Sequence, residues 1–320
     1  MQELIWHWQG HQISYTCIPS NGSSSGRAVL CVHGFGASKG HWRHNLQALS
    51  EAGTVYAIDL LGFGNSSKPV SQLSGEAAST GSVRYCFDLW AQQIADFQRQ
   101  VIQPQERSEL QLIGNSIGAV VCINAARLLQ EQGEPPVQLI LIDCAERELD
   151  LKRLAEQPWP ARLSRPLVMG LVRQRWLISS LFRLLAQPLF VRSVLRQAYP
   201  SGRNVDDALV ELLVAPSRQP GATESFRGFV NLFNDWLAPQ LLEQLTLPVR
   251  LLWGAKDPWE PLAEAQRWAD TYSAVQELQV LPGLGHCPHD EAPEQVNPIL
   301  LRWLELGWNC SNRPAASRAV

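Results

Sequence analysis

The stretch that most constrains this chain is Leu110 to Gly118, which reads Leu-Gln-Leu-Ile-Gly-Asn-Ser-Ile-Gly. Its first half is a short apolar run suited to a buried strand, and its second half fits Gly-x-Ser-x-Gly. From Ala119 to Gln130 the spacing turns helical, with many small side chains. Strand, sharp turn and helix in that order are the setting of a nucleophile elbow, in which a strained serine stands exposed between the two elements. Gly114 and Gly118 fit such a turn because it has no room for side chains beside the serine. The N-terminus of the following helix adds a positive field. A Gly/Ser turn that merely joins strand to helix has the same five residues, so the rest of the chain has to decide.

The rest of the chain alternates strands with helices. Leu4 to Trp8 and Gln12 to Ile18 alternate apolar with polar about Gly10 and predict an antiparallel hairpin. A Ser/Gly turn is expected over Asn21 to Gly26. A buried strand follows over Ala28 to Val32, ending in His33-Gly34-Phe35-Gly36, then a short helix over Trp42 to Leu49 and a strand over Thr54 to Ile58. Val70 to Ser82 is polar and reads as a mobile loop. Phe87 to Val101 reads as an amphipathic helix and Val137 to Ile142 as a strand. From Cys144 to Ala238 no strand pattern occurs; apolar pairs at helical spacing, such as Leu167/Val168 and Leu171/Val172, are punctuated by prolines. The α/β rhythm resumes with a strand over Val249 to Trp253, a helix over Leu262 to Tyr272, a strand over Val275 to Leu281 and a helix over Pro293 to Leu306. The expected organisation is a mostly parallel α/β core in two parts, 1–143 and 239–308, a helical cap over 144–238 and a disordered tail over 309–320.

Composition excludes several classes. With 45% hydrophobic and 18% charged residues the chain is globular, and a net charge of −3 gives it no general attraction to nucleic acid. No apolar run approaches the roughly 18 residues of a membrane span. Met1 to Cys17 lacks the basic-then-apolar layout of a signal peptide. Seven cysteines with no C-x-x-C pair suit a reducing, cytoplasmic compartment without disulfides or structural zinc.

Three chemistry-bearing residues each follow an apolar strand: Ser116, Asp257 in Gly254-Ala255-Lys256-Asp257, and His286 in Pro282-Gly283-Leu284-Gly285-His286. In an open α/β sheet, chemistry collects at the carboxyl ends of strands. Serine is a weak nucleophile and needs a base with an orienting acid. His286 is the expected base and Asp257 the expected acid. His289 and Asp143 are the rivals. His289 reads as a loop histidine, and Asp143 as a hydrogen-bonding residue at a strand–loop junction. Asp59 reads as a loop-fixing residue, and His7, His11, His41 and His44 have surface or packing roles by default. The oxyanion donors are expected at the backbone N–H groups of Ile117, just after the nucleophile, and of Phe35. No metal or other cofactor is expected, because no His/Asp/Cys ligand spacing occurs.

The order Ser…Asp…His and the elbow resemble the α/β-hydrolase superfamily over nearly the whole chain. The resemblance implies a mostly parallel eight-stranded sheet flanked by helices, with a helical cap (lid) insertion. Within the superfamily the chain is similar to chlorophyll dephytylases and pheophytinases. The residues that carry this are Gly114-Asn115-Ser116-Ile117-Gly118, with Asn115 where many relatives have His; Trp253 to Pro261; and Gly285 to Pro293, running on to Val296-Asn297-Pro298. The departures are Ala119, where many members have a further Gly, and the unmatched insertion. The resemblance implies hydrolysis of the phytyl ester of chlorophyll- or pheophytin-type pigments, giving a chlorophyllide-type acid and phytol. The absence of a transit-peptide pattern suits a cyanobacterial protein, placed in the cytoplasm or peripherally at the thylakoid membrane. Other readings are a carboxylesterase or lipase-like enzyme of another apolar ester, and a non-catalytic hydrolase fold used for binding. Haloalkane dehalogenases and epoxide hydrolases are disfavoured, because they carry Asp where Ser116 stands.

One further asymmetry lies in the insertion. Leu151 to Arg203 holds ten basic residues and one acid, Glu156, among Leu, Val, Phe and Trp at helical spacing. Two arrangements fit this pattern: a lid docked on a membrane surface, with Arg173, Arg175 and Arg183 meeting anionic headgroups, or an apolar stripe packed on the core with a solvated basic face.

Overall fold

The computed structural model describes residues 2–21, 26–103 and 109–311. Its frame is an eight-stranded sheet of order β1-β2-β4-β3-β5-β6-β7-β8. The strands are β1 (Leu4–Trp8), β2 (His11–Ile18), β3 (Arg27–Val32), β4 (Thr54–Ile58), β5 (Glu109–Asn115), β6 (Gln138–Ile142), β7 (Val249–Gly254) and β8 (Val275–Leu281). β1 and β2 form the antiparallel hairpin, β2 runs antiparallel to β4, and every pairing from β4 to β8 is parallel. The outer hairpin buries Trp6 and Trp8 while Ile5 and His7 face out, the period-two pattern of a half-covered strand. The inner strands β3, β5, β6 and β7 are buried almost throughout, as parallel strands covered on both faces must be. Along β5, Leu110 and Leu112 join one core cluster and Ile113 joins the other, so the sheet separates two apolar layers.

The helices are α1 (Leu46–Leu49), α2 (Phe87–Phe97), α3 (Ile117–Glu131), α4 (Trp159–Val172), α5 (Arg175–Leu185), α6 (Pro188–Ala198), α7 (Asp207–Val214), α8 (Ala222–Val230), α9 (Ala238–Leu242), α10 (Leu262–Thr271), α11 (Pro288–Glu291) and α12 (Pro293–Ser311). α2, α3, α9 and α10 cover one face of the sheet, and α1 and α12 cover the other. α4 to α8 form the helical insertion between β6 and β7. Cys144, Ala145 and Ala238, near the ends of that insertion, pack in the larger core cluster, so the helices that leave the sheet begin only with a 3-10 turn at Leu151–Glu156. A small third cluster joins α6, α7 and Cys287.

Several local expectations change. The single helix expected over Trp42 to Leu49 is a 3-10 turn, Lys39–Trp42, followed by the separate one-turn α1. Asn45, between them, sends its amide to the His289 carbonyl and to Asn297, which pins the chain there. The helix from Phe87 is α-helical only to Phe97 and finishes as a π-turn over Gln98–Ile102. Pro166 lies inside α4 rather than ending a helix; Arg162, whose carbonyl loses its partner, is exposed. The tail expected from Asn309 is helical as far as Ser311, and 312–320 lie outside the described residues, as does most of the turn expected over Asn21 to Gly26. α11 was not legible in the sequence at all.

Candidate active site

Ser116 follows β5 at φ 56°, ψ −124°, backbone that a side-chain-bearing residue rarely adopts. The two glycines of the motif have different neighbours. A Cβ on Gly114 would lie 2.5 Å from the Gly118 carbonyl oxygen, and one on Gly118 would lie 2.4 Å from the His33 carbonyl oxygen. The turn therefore closes only with glycine at both positions, and the strained serine is held by its surroundings. The Ser116 N–H donates to the Ile142 carbonyl at 2.9 Å.

His286 enters from the loop after β8. Its Nδ1 meets Asp257 Oδ2 at 2.7 Å, and its N–H donates to the Ala198 carbonyl at 3.0 Å. Asp257 Oδ1 accepts from the backbone N–H groups of Trp259 at 2.9 Å and Glu260 at 3.2 Å. Burial raises the pKa of the Asp257 carboxyl. The hydrogen bond and charge of His286, with the backbone donors, outweigh that and hold it below the usual carboxylate value. Ser116 and His286 line the same cavity of about 410 Å³, together with Phe35, Ile117 and Trp259. The Trp259 ring stands edge-on to His286 at 4.8 Å.

Asp143, the rival acid, lies behind this pair. Its Oδ1 accepts the Gly254 N–H at 2.9 Å. Burial, reinforced by the neighbouring Asp257 charge, pushes its carboxyl well above the usual range. His289, the rival base, is fully buried in α11, its ring 4.4 Å from that of Trp42 and 4.9 Å from that of His41. Burial lowers its pKa, and neither ring nitrogen has a hydrogen-bond partner among the described residues. It is therefore a core residue rather than the loop histidine expected. Asp59 fixes its loop, accepting from the backbone of Lys39 at 2.6 Å and of Asn65 at 2.8 Å.

The loop after β3 brings Phe35 beside the elbow. A Cβ on Gly34 would sit 3.0 Å from Ser116 Cβ, so this loop touches the serine. His33 holds the loop in shape: its Nε2 accepts from the Leu60 N–H at 3.1 Å, which leaves Nδ1–H to donate to the Gly34 carbonyl at 2.8 Å. Burial keeps the imidazole neutral in that tautomer. Ile117 opens α3, so its N–H is one of the helix's unpaired donors next to Ser116.

Three contributors were missed at the level of sequence. Asn115 donates to the Ile142 carbonyl at 3.2 Å and the His286 carbonyl at 3.0 Å, tying nucleophile strand to histidine loop. Glu291, fully buried, accepts from the Gly285 N–H at 2.8 Å through one oxygen and from the Ser201 N–H at 2.8 Å through the other. Tyr199 bridges His41 at 2.7 Å and Asp290 at 2.9 Å. All three reach partners distant in sequence; Asn115 and Glu291 lie inside motifs quoted above, and Tyr199 has none to mark it. Among the described residues no group of three or more His, Cys, Asp or Glu side chains is placed to hold a metal ion.

A second, apolar cavity of about 310 Å³ adjoins the first and shares Phe35, Ala37, Val194, Leu195 and Leu213 with it. Phe182, Leu185 and Phe190 of the cap and Phe63 of the core close it. The Phe35 ring, stacked on Phe229 at 3.8 Å, lines both chambers.

The fold and this arrangement define a hydrolase of the α/β class. The sequence matches the alpha/beta hydrolase family over residues 29–299, and the chain belongs to that family. An uncharacterised protein of Mycobacterium tuberculosis is 25% identical over 308 residues, covering 93% of this chain and 81% of the relative. The chloroplastic pheophytinase of Arabidopsis thaliana is 24% identical over 301 residues, covering 87% of this chain and 61% of that protein. Among solved structures, a serine hydrolase involved in carbazole degradation superposes with a TM-score of 0.68 at 19% identity, covering 95% of this chain and 99% of that one, a likeness of fold.

Proposed function

We propose that this protein is a serine hydrolase of carboxylic esters, and that its substrate is a long apolar ester, with phytyl esters of chlorophyll-type pigments the leading candidate. One observation carries the reading: the strained Ser116 and the Asp257-bonded His286 line a cavity that adjoins an apolar chamber. In this reading His286 Nε2 takes the Ser116 hydroxyl proton as Oγ attacks the ester carbonyl carbon. The N–H groups of Ile117 and Phe35 receive the negative oxygen of the tetrahedral intermediate. The bond to the alcohol oxygen then breaks, His286 returns the proton to the departing alcohol, and an acyl-enzyme remains. Water, activated by the same imidazole, releases the acid by the reverse sequence. Asp257, kept ionised, holds the imidazole in the tautomer with Nδ1–H and stabilises its charged form. Each chamber falls in the roughly 300–1,000 Å³ range of small-molecule sites. The apolar one suits a hydrocarbon chain, with the bulky acid half toward the opening.

The pigment assignment rests on the motifs shared with pheophytinases and on the relative just described. It is tested by measuring phytol release from chlorophyll a and from pheophytin a in detergent, beside hydrolysis of short- and long-chain nitrophenyl esters. Pigment turnover supports the assignment. Ester turnover that rises with chain length but spares pigments would leave a lipase-like enzyme, and fast short-chain turnover alone a general esterase. Failure of a fluorophosphonate to label Ser116 would leave a binding protein.

A further inference from the structure

Burial in α4 is reversed. Its one buried residue is Arg165, whose guanidinium lies over the Phe233 ring at 5.5 Å, while its apolar residues point outward. Trp159, Leu163 and Leu167 are 74%, 76% and 67% exposed, and with Leu171 they form a single ridge at four-residue spacing. α5 and α6 continue this surface with Trp176, Leu184 and Leu189. Scattered exposed leucines are ordinary, but a contiguous apolar surface on a folded protein marks an interaction site.

Charge identifies the occupant. From Gln157 to Val205 the chain has eight arginines and neither Asp nor Glu. Half of these arginines are engaged in polar contacts: Arg173 bonds the Ser74 carbonyl, Arg175 pairs with Glu224, Arg192 with Asp207 and Arg203 with Glu294. Arg173 and Arg175, expected from the sequence to face headgroups, instead fasten the cap to its surroundings. Arg162, Arg183 and Arg196 are exposed and form no ion pair among the described residues. A two-fold contact with a second copy would set this cationic face against itself. An anionic bilayer offers both things the face requires: hydrocarbon for Trp and Leu, and phosphates for arginine. Among the described residues no single helix is long and apolar enough to cross a membrane.

The same helices link the face to the site. Phe190 is exposed on α6 and also lines the apolar chamber, so the chamber reaches the surface on this helix. We propose that the outer face of α4, α5 and α6 rests on an anionic lipid surface, and that an apolar ester passes from the lipid past Phe190 into the chamber. The route depends on the apolar-ester reading above; the docking does not.

Cosedimentation of the full chain with vesicles of equal parts phosphatidylcholine and phosphatidylglycerol tests it, using Ser116→Ala protein so that turnover plays no part. Strong binding at low salt that weakens as salt rises is expected. Replacing Trp159, Leu163 and Leu167 together with Gln should lower vesicle partitioning tenfold or more, and Arg162→Gln/Arg183→Gln/Arg196→Gln should remove the salt dependence. Placed in an otherwise wild-type chain, both sets should leave hydrolysis of a soluble ester unchanged, since none of these residues lines either chamber. A protein that ignores these vesicles, or a ridge variant that binds as well as its parent, overturns the docking. Self-association that the ridge variant abolishes, without vesicle binding, would give the face to a second copy. Docking with no pigment turnover in detergent would sink the pigment assignment and leave the surface standing.

Discussion

α12 and α4 are made of similar material and end in opposite places. Both are long helices with tryptophan and leucine at helical spacing and a proline inside, Pro298 and Pro166. α12 lays Val296, Leu300, Trp303, Leu304 and Trp308 against the sheet, all fully buried. α4 turns Trp159, Leu163 and Leu167 to the outside and an arginine inward. A hydrophobic stripe thus states that a helix has a face to cover, but not what covers it. In the core the cover is the sheet; in the cap the described residues supply none. The same division runs through the site. The core holds Ser116, Asp257 and His286 just past strand ends, and the cap lines part of the cavities beside them.

The comparison is tested most severely at the reacting groups. Ser116→Ala should fold normally and lose several orders of magnitude in ester turnover, in line with triad deletions. Retained activity in the folded variant would move the chemistry off the core. Next, Asp257→Asn should cost on the order of 10⁴ in turnover through the wrong imidazole tautomer. Asp143→Asn should cost little, because His286 pairs with Asp257 and an asparagine oxygen can still accept from the Gly254 N–H. The opposite ranking would reassign the acid.

Stability separates the two helices directly. Leu300→Ala should destabilise by about 2–5 kcal/mol, because it leaves a cavity in a closed layer. Leu163→Ala should stay within about 0.5 kcal/mol. Urea unfolding midpoints measure both, and equal costs would show that α4 has a packing partner. A pH-dependent effect is expected at the seam between core and cap. Burial, helped by the charge of Glu264, pushes the Glu146 carboxyl up to about 8, and its closest cation, Arg153, stands 3.6 Å away. The folded state therefore binds a proton that the unfolded state releases above about 4.5, and stability falls as pH rises from there to about 8. Glu146→Gln removes that loss. Its melting temperature should gain on wild type across this window and run parallel to it below. A constant offset at every pH would show that Glu146 is ionised in the fold.

Much of the site was legible because its parts are local. β3, β5 and β7 are short apolar runs, each delivering its turn residue at the strand end, so Ser116, Phe35 and Asp257 could be placed from pattern alone. His286 followed from the same logic after β8. What was not legible depends on partners far away in the chain. α11 is four residues long, and its Asp290 and Glu291 are buried only because Arg43, Tyr199, Gly285 and Ser201 supply their donors. Asn115 stood in plain view beside the nucleophile, but its bond to the His286 carbonyl spans 171 residues. The basic excess of the insertion was visible as charge; its division into fastening and free arginines was not.

By itself the sequence determined the α/β alternation, the elbow and the residue types at three strand ends, since strand burial and glycine-only turns are written in neighbouring residues. Tertiary structure alone decided which arginines are free and which way α4 faces. Those outcomes depend on distances and burial between segments remote in the chain, and apolar periodicity is the same whichever side is covered.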